Sequence, residues 1–227
     1  MKKYQGIIFD FNGVLLWDSP IQEKSWLELS KKLRDHPLTP REMINIVHGR
    51  TNKYIMEYLA QRTIPEDELQ ELIKAKESYY QELCLAESDS FQLSPGAIPL
   101  LDFLVENNIP HTIATSSEKF NLDFFIQHLN LKQWFDVAKI AYDDGNISSK
   151  PAPDIYVKAA NNISVEPINC IVVEDAISGI MAAQKASIGK IYALGPIEKH
   201  ALLKSTDGAD EVITTLNEIP KEIFTIN

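Results

Sequence analysis

Cysteine is nearly absent from this chain: Cys84 and Cys170 are the two among its 227 residues. Two thiols cannot make a disulfide framework, so a reducing cytoplasm is the expected compartment and both are expected to serve as small core hydrophobes. Long apolar runs are missing too. Nothing approaches the roughly 18 consecutive apolar residues that span a bilayer, and Ile7–Phe9 is far too short for a signal peptide. Basic residues are in deficit, with 22 Lys and Arg against 32 Asp and Glu, a net charge of −10 and no basic stripe. Nucleic acid is therefore excluded as an expected partner, because its affinity rests on clustered cations. Repeats and low-complexity tracts are also lacking. What is present, 44% hydrophobic and 24% charged residues, is ordinary for a soluble globular chain. If such an acidic chain acts on an anion, a bound cation and one or two lysines must supply local positive charge.

At roughly 150 residues per domain the length suggests one large core plus a smaller appendage. Short apolar or β-branched runs at Gly6–Phe9, His111–Ala114, Val137–Ala141, Cys170–Val173, Lys190–Ala193 and Glu211–Ile213 read as strands. Helical patterns at Ile98–Val105, Asn121–Leu129, Asp154–Asn161 and Ser178–Ala186 alternate with them. That alternation predicts an α/β fold, a doubly wound and mainly parallel (Rossmann-like) sheet. Residues 18–91 break the pattern and read as helices throughout. Ile21, Trp26, Leu29 and Leu33 share one face, and Thr39-Pro-Arg-Glu42 is a capping box opening a helix through Met43, Ile44 and Val47. Ile55, Met56 and Leu59 mark a third helix, and Leu69 to Leu83 a longer fourth. So long an insertion after strand one is expected to be an all-helical cap, with residues 1–17 and 92–227 forming the core and Ser94-Pro-Gly96 the hinge.

In doubly wound sheets the site lies outside the carboxyl ends of the strands. Strand one ends in Asp10-Phe-Asn12-Gly13, the second core strand in Thr115-Ser116-Ser117, and a later one in Glu174-Asp175. Lys150 follows the third strand, braced by Pro151-Ala-Pro153. Three carboxylates at one sheet edge would repel one another unless a hard divalent cation sat between them, and magnesium fits oxygen ligands of this kind. The hydroxyls would hold phosphate oxygens, Lys150 would neutralise charge, and an aspartate at the focus can attack phosphorus.

Four segments in this order, Asp10-Phe-Asn-Gly-Val14, Ile113-Ala-Thr-Ser-Ser117, Ser149-Lys-Pro-Ala-Pro-Asp154 and Val172-Val-Glu-Asp-Ala-Ile-Ser-Gly179, carry a resemblance. The chain is similar to the haloacid dehalogenase-like hydrolase superfamily, in its β-phosphoglucomutase and phosphoglycolate-phosphatase-like branch with a helical cap. The resemblance spans essentially the whole chain. It implies that Asp10 is a nucleophile forming an aspartyl phosphate. It also implies that Thr115, with Ser116 beside it, and Lys150 bind the phosphoryl group. Asp175, Glu174, Asp10 and the backbone carbonyl of Asn12 would hold Mg2+. The departure is Asn12, where the family's phosphatases and mutases carry an acid-base aspartate; an amide can neither protonate a leaving group nor activate water.

Gln22 or Glu23 stands where mutases have a cap histidine, and Glu118 where they have a lysine, so mutase activity is the weaker expectation. The expected function is a magnesium-dependent phosphatase of a small phosphorylated metabolite, a monomer or weak homodimer without membrane or nucleic-acid partners. Two alternatives stay open. One is phosphonoacetaldehyde hydrolase-like C–P cleavage with Lys53 as Schiff base; the other is a weakly active metabolite-binding regulator. His48 and Arg50, flanking Gly49, either face the substrate or form a solvated turn, and Trp17 and Asp18 divide the same way. Trp26, Tyr79 and Tyr80 are expected to pack the cap.

Overall fold

The structure is a computed structural model describing residues 3–87 and 91–225. Its strands are β1 (Gly6–Phe9), β2 (His111–Glu118), β3 (Ala141–Asp143), β4 (Cys170–Glu174), β5 (Lys190–Leu194) and β6 (Glu211–Ile213). Among the described residues they form one parallel sheet in the order β3-β2-β1-β4-β5-β6. β1 is central, buried on both faces, which is why its sequence is continuously apolar instead of alternating. Successive side chains nonetheless serve opposite cores. Ile7 and Phe9 pack with helices α5 (Ala97–Glu106) and α6 (Lys119–His128), while Ile8 packs with α7 (Asp154–Asn162) and α8 (Ile177–Lys185). A short α9 (His200–Lys204) precedes β6.

Between β1 and α5 the chain forms α1 (Ser19–Leu33), α2 (Pro40–Glu42), α3 (Asn52–Ala60) and α4 (Glu66–Ala86). This insert has its own apolar cluster, centred on Trp26, Met43, Val47, Met56 and Leu59. The Thr39 capping box is formed: Glu42 N donates to Thr39 Oγ1 at 3.2 Å and Thr39 N to Glu42 Oε2 at 2.8 Å. The helix it opens becomes a π-type turn over Met43–Val47, closed by His48 N donating to Met43 O at 3.0 Å. Such widened turns redirect the residues that follow them, here His48 and Gly49. The chain re-enters the core where Ser94 donates from Oγ to Val14 O and from N to Leu15 O, and Gly96 takes φ +86°.

One strand lies later than its pattern suggested. Val137–Lys139 is a short 3₁₀ turn, begun by the Asp136 carboxylate accepting from Ala138 N at 3.1 Å, and β3 starts only at Ala141. A local side-chain cap outcompeted the sheet there. No described helix is long and apolar enough to cross a membrane. Cys84 and Cys170 are both buried free thiols, as expected.

Candidate active site

The ends of β1, β2 and β4 place the predicted residues at one edge of the sheet. Lys150 is buried, and its Nζ donates to Asp10 Oδ1 at 2.8 Å and to Glu174 Oε1 at 2.5 Å. Tyr156 OH donates to the same Glu174 oxygen at 2.8 Å, and Ala176 N to Oε2 at 2.9 Å. Glu174 is thus held by three donors and in turn fixes the ammonium. Carboxylate oxygens of Asp10, Glu174 and Asp175 all lie within 4.8 Å of one another. Two glycines make the crowding possible: a Cβ on Gly13 would overlap the Asp175 carboxylate, and one on Gly179 that of Glu174.

The electrostatics follow from this packing. Burial, with Glu174 adding to it, pushes Asp10 up to about 7 despite the opposing pull of Lys150. Asp175 is raised well above the usual carboxylate range, first by burial and then by Glu174 and Asp10. Burial acts against the charge on Lys150, but Asp10 and Glu174 outweigh it and hold the ammonium above its ordinary value. Extra positive charge or a proton is what this group of carboxylates lacks.

Asn12 is tied down at both ends. Its Nδ2 donates to Asp18 Oδ2 at 2.7 Å, and its Oδ1 accepts from Ser117 Oγ at 3.0 Å. Asp18 also accepts from Tyr80 OH at 2.5 Å and from Gly13 N at 3.2 Å. Burial raises the Asp18 pKa. Tyr80, expected to be simple packing, is therefore also a donor into this network.

A cleft of about 660 Å³, counting its open mouth, runs from these residues along the helical insert. Thr115, Ser116, His48 and Arg50 line it, as do Gln22, Glu23, Trp26, Asn52, Lys76 and Glu77. Thr115 is buried and its Oγ1 accepts from Ser117 N at 3.1 Å. Arg50 Nη1 donates to the Lys150 carbonyl, while its Nε is buried with no hydrogen-bond partner. Of the open alternatives, His48, Arg50 and Asp18 face the cleft, whereas Trp17 is an exposed side chain outside its lining. Lys53, the amine on which the C–P cleavage alternative depends, is exposed and lies outside the cleft lining. Trp26, expected only to pack, is buried and lines the cleft as well. Sequence reasoning missed the buried Lys76–Glu77 pair, joined at 3.1 Å. It also missed Lys199, whose charge reaches both Glu23 and Asp175. The one available signal was Lys76-Glu77 itself, charged residues on the apolar side of a helix.

The family model for haloacid dehalogenase-like hydrolases matches residues 4–187. The chain belongs to this family. Relatives of this hydrolase include the bifunctional riboflavin kinase/FMN phosphatase of Arabidopsis thaliana, 34% identical over 165 residues. That alignment covers 72% of this chain and 42% of the plant protein, so the chain spans less than half of it. Hexitol phosphatase A of Escherichia coli K12 is 27% identical over 217 residues, covering 95% of this chain and 93% of the other. Among solved structures, a family IA, variant 3 hydrolase from Entamoeba histolytica superposes with a TM-score of 0.84 at 36% identity, over 98% of this chain and 97% of that one. The resemblance carried by the four motifs and the doubly wound fold are both borne out, and the chain is an enzyme of the hydrolase class.

Proposed function

We propose that this hydrolase is a phosphatase of a small polyhydroxylated phosphate ester. It would depend on a divalent cation, magnesium by preference, and act through an aspartyl phosphate on Asp10. The observation that carries the reading is the buried Lys150 ammonium shared between Asp10 and Glu174, with Asp175 alongside. The donor set fits a hard cation, because it is all oxygen and the glycines at 13 and 179 let the Asp175 and Glu174 carboxylates close in on Asp10. Asp10, Asp175 and the Asn12 carbonyl would hold the ion. Glu174, whose oxygens already serve Lys150, Tyr156 and Ala176, would act by positioning Lys150. When bound, the cation supplies positive charge for the carboxylates and for the phosphate oxygens.

The remaining steps belong to the chain's own residues. One Asp10 oxygen attacks phosphorus while Lys150 holds the other and draws charge from the phosphoryl group. Thr115 offers its hydroxyl, and Arg50 Nε, buried without an acceptor, would find one in a phosphate oxygen. Residues 18–91 would act as a cap over the remaining 1–17 and 92–227 core, excluding water from the phosphoryl group. Amides and carboxylates in the cleft (Gln22, Asn52, Glu23, Glu77) suit hydroxyl groups, and Trp26 suits an apolar sugar or polyol face. That the relatives include a hexitol phosphatase and an FMN phosphatase supports the same substrate class.

A panel of polyol, sugar and flavin phosphates assayed with and without magnesium tests the reading. Turnover that vanishes with chelator and with Asp10→Ala is expected. Phosphate release that survives Asp10→Ala would rule out the aspartyl-phosphate route.

A further inference from the structure

Asn12 leaves the proposed phosphatase without its usual proton carrier, and the cleft contains few substitutes. Asp18 accepts from three donors and sits behind Asn12. Glu77 is held by Lys76, by Asn52 Nδ2 at 2.8 Å and by Asn121 Nδ2 at 2.5 Å. Asp10 and Asp175 belong to the nucleophile and the cation. His48 and Glu23 remain, and they meet: His48 Nε2 lies 3.1 Å from Glu23 Oε1, joining the end of the π turn to α1.

The backbone around His48 is seated on the phosphoryl site from two sides. Its carbonyl accepts from Ser178 Oγ at 2.9 Å, three residues after Asp175. The next carbonyl, of Gly49, accepts from Ser116 Oγ at 3.0 Å, adjacent to Thr115. Gly49, at φ +73°, leaves no space for a side chain, because a Cβ would run into Ser178 Oγ and approach Ala176. Residues 48–49 therefore bridge the C-terminal part of β2 and the start of α8, which follows β4, and Asp10 lies between those two strands.

We infer that His48 is the acid-base residue of this enzyme, oriented by Glu23, in place of the carboxylate that Asn12 lacks. This rests on the phosphatase reading. With Nε2 on a carboxylate, Nδ1 is the ring nitrogen left to exchange a proton. The hydrogen bond from His48 holds the Glu23 carboxyl below the usual carboxylate range, which keeps it ionised as the orienting partner. In the first step Asp10 attacks phosphorus, the ester P–O bond breaks, and the leaving oxygen takes the Nδ1 proton. In the second step water gives a proton to Nδ1 as its oxygen attacks phosphorus, and the Asp10–phosphorus bond breaks. Phosphate leaves, Asp10 returns as a carboxylate and His48 is protonated again. Because His48 belongs to the helical insert, the proton carrier would be in place only when the insert is seated on the core.

The test is leaving-group dependence with magnesium present, for wild type, His48→Gln, Glu23→Gln, Asn12→Asp and the His48→Gln/Asn12→Asp double variant. Gln preserves an amide near the Nε2 position. For alkyl phosphates, His48→Gln should lower kcat by about 10² to 10⁴, the usual worth of general acid-base catalysis. With an aryl phosphate it should still give a rapid burst of phenol, followed by slow turnover as the aspartyl phosphate accumulates. Glu23→Gln should move the same readouts less, as a positioning residue would. Asn12→Asp, which puts a carboxylate back at the usual position, should restore most of the activity lost in His48→Gln. Equal losses for the aryl burst and for alkyl turnover, or no rescue by Asn12→Asp, would overturn the assignment and leave a structural role. A wild type that releases no phosphate from any ester would overturn the phosphatase reading and this one together.

Discussion

Two lysines are buried among the described residues, and they are solved differently. Lys150 stands between two carboxylates at strand ends, Asp10 just after β1 and Glu174 at the end of β4, with the Tyr156 ring 5.0 Å from its Nζ. Lys76, on α4, pairs with its sequence neighbour Glu77 and with Gln22 at 2.9 Å, and lies over Trp26 at 4.5 Å. Isolated buried charges cost too much to survive, so each ammonium has been given partners. Lys150 draws its partners from 140 and 24 residues away, whereas the Lys76 pair is local and reaches the core through Asn121 on α6. The first arrangement gathers charge where a phosphoryl group would sit. The second joins α1, α3 and α4 to the core beside the cleft. A buried ion pair thus marks chemistry only when its geometry also leaves an open electrophile site; otherwise it is a joint.

The sharpest way to break that contrast is to remove each cation. Lys150→Ala should lower phosphate release by at least about 10³, by analogy with the loss of a preorganised charge at a transition state. It should also cost on the order of 3–5 kcal/mol in denaturant unfolding, since two buried carboxylates lose their partner. An active Lys150→Ala enzyme would mean that the buried ammonium is a joint as well. Next in size, Asp175→Ala should shift magnesium titrations to much higher concentration while Glu174→Gln acts chiefly on kcat. Identical titrations for Asp175→Ala and wild type would remove Asp175 from the ligand set. Lys76→Met/Glu77→Gln should keep the fold within about 1–2 kcal/mol, because a buried pair replaced by less polar groups is often neutral. Its effect should fall on KM for polyol phosphates, and a kcat collapse comparable to Lys150→Ala would erase the contrast.

The smallest effect concerns Glu118, at the join between the two regions. Burial, then Asp143 and Glu77, push its carboxyl from 4.5 up to about 7. The folded state therefore holds this proton more tightly than the unfolded chain. Its stabilising effect is complete at low pH and lost as pH rises from about 4.5 toward 7. Glu118→Gln should accordingly match wild type near pH 4 and exceed it at pH 8, by about 1 kcal/mol after allowing for partial exposure. Thermal unfolding at the two pH values checks the sign; a variant less stable at pH 8 would reverse it.

Local rules were enough for much of this molecule. Gly6–Phe9 could be read as a buried strand because its burial on both faces leaves a continuous apolar signature, and Thr39–Glu42 as a helix start because the capping box is complete within four residues. Asp10, Thr115, Lys150 and Asp175 were legible because strand ends and short motifs carry them to one sheet edge. The same rules misplaced β3, where the Asp136 side chain competed with the ladder, and gave no sign that Met43–Val47 would widen into a π turn. By itself the sequence determined the alternation of strands and helices, the helical insertion and the identity of the polar groups at the sheet edge, all set by hydrophobic period and short-range hydrogen bonding. Only the tertiary structure decided that Glu174 braces Lys150, that Asn12 is bound to Asp18 and Ser117, and that Glu23 meets His48 over the site. Those contacts depend on how separate elements pack, and no local pattern encodes a distance between side chains that only packing brings together.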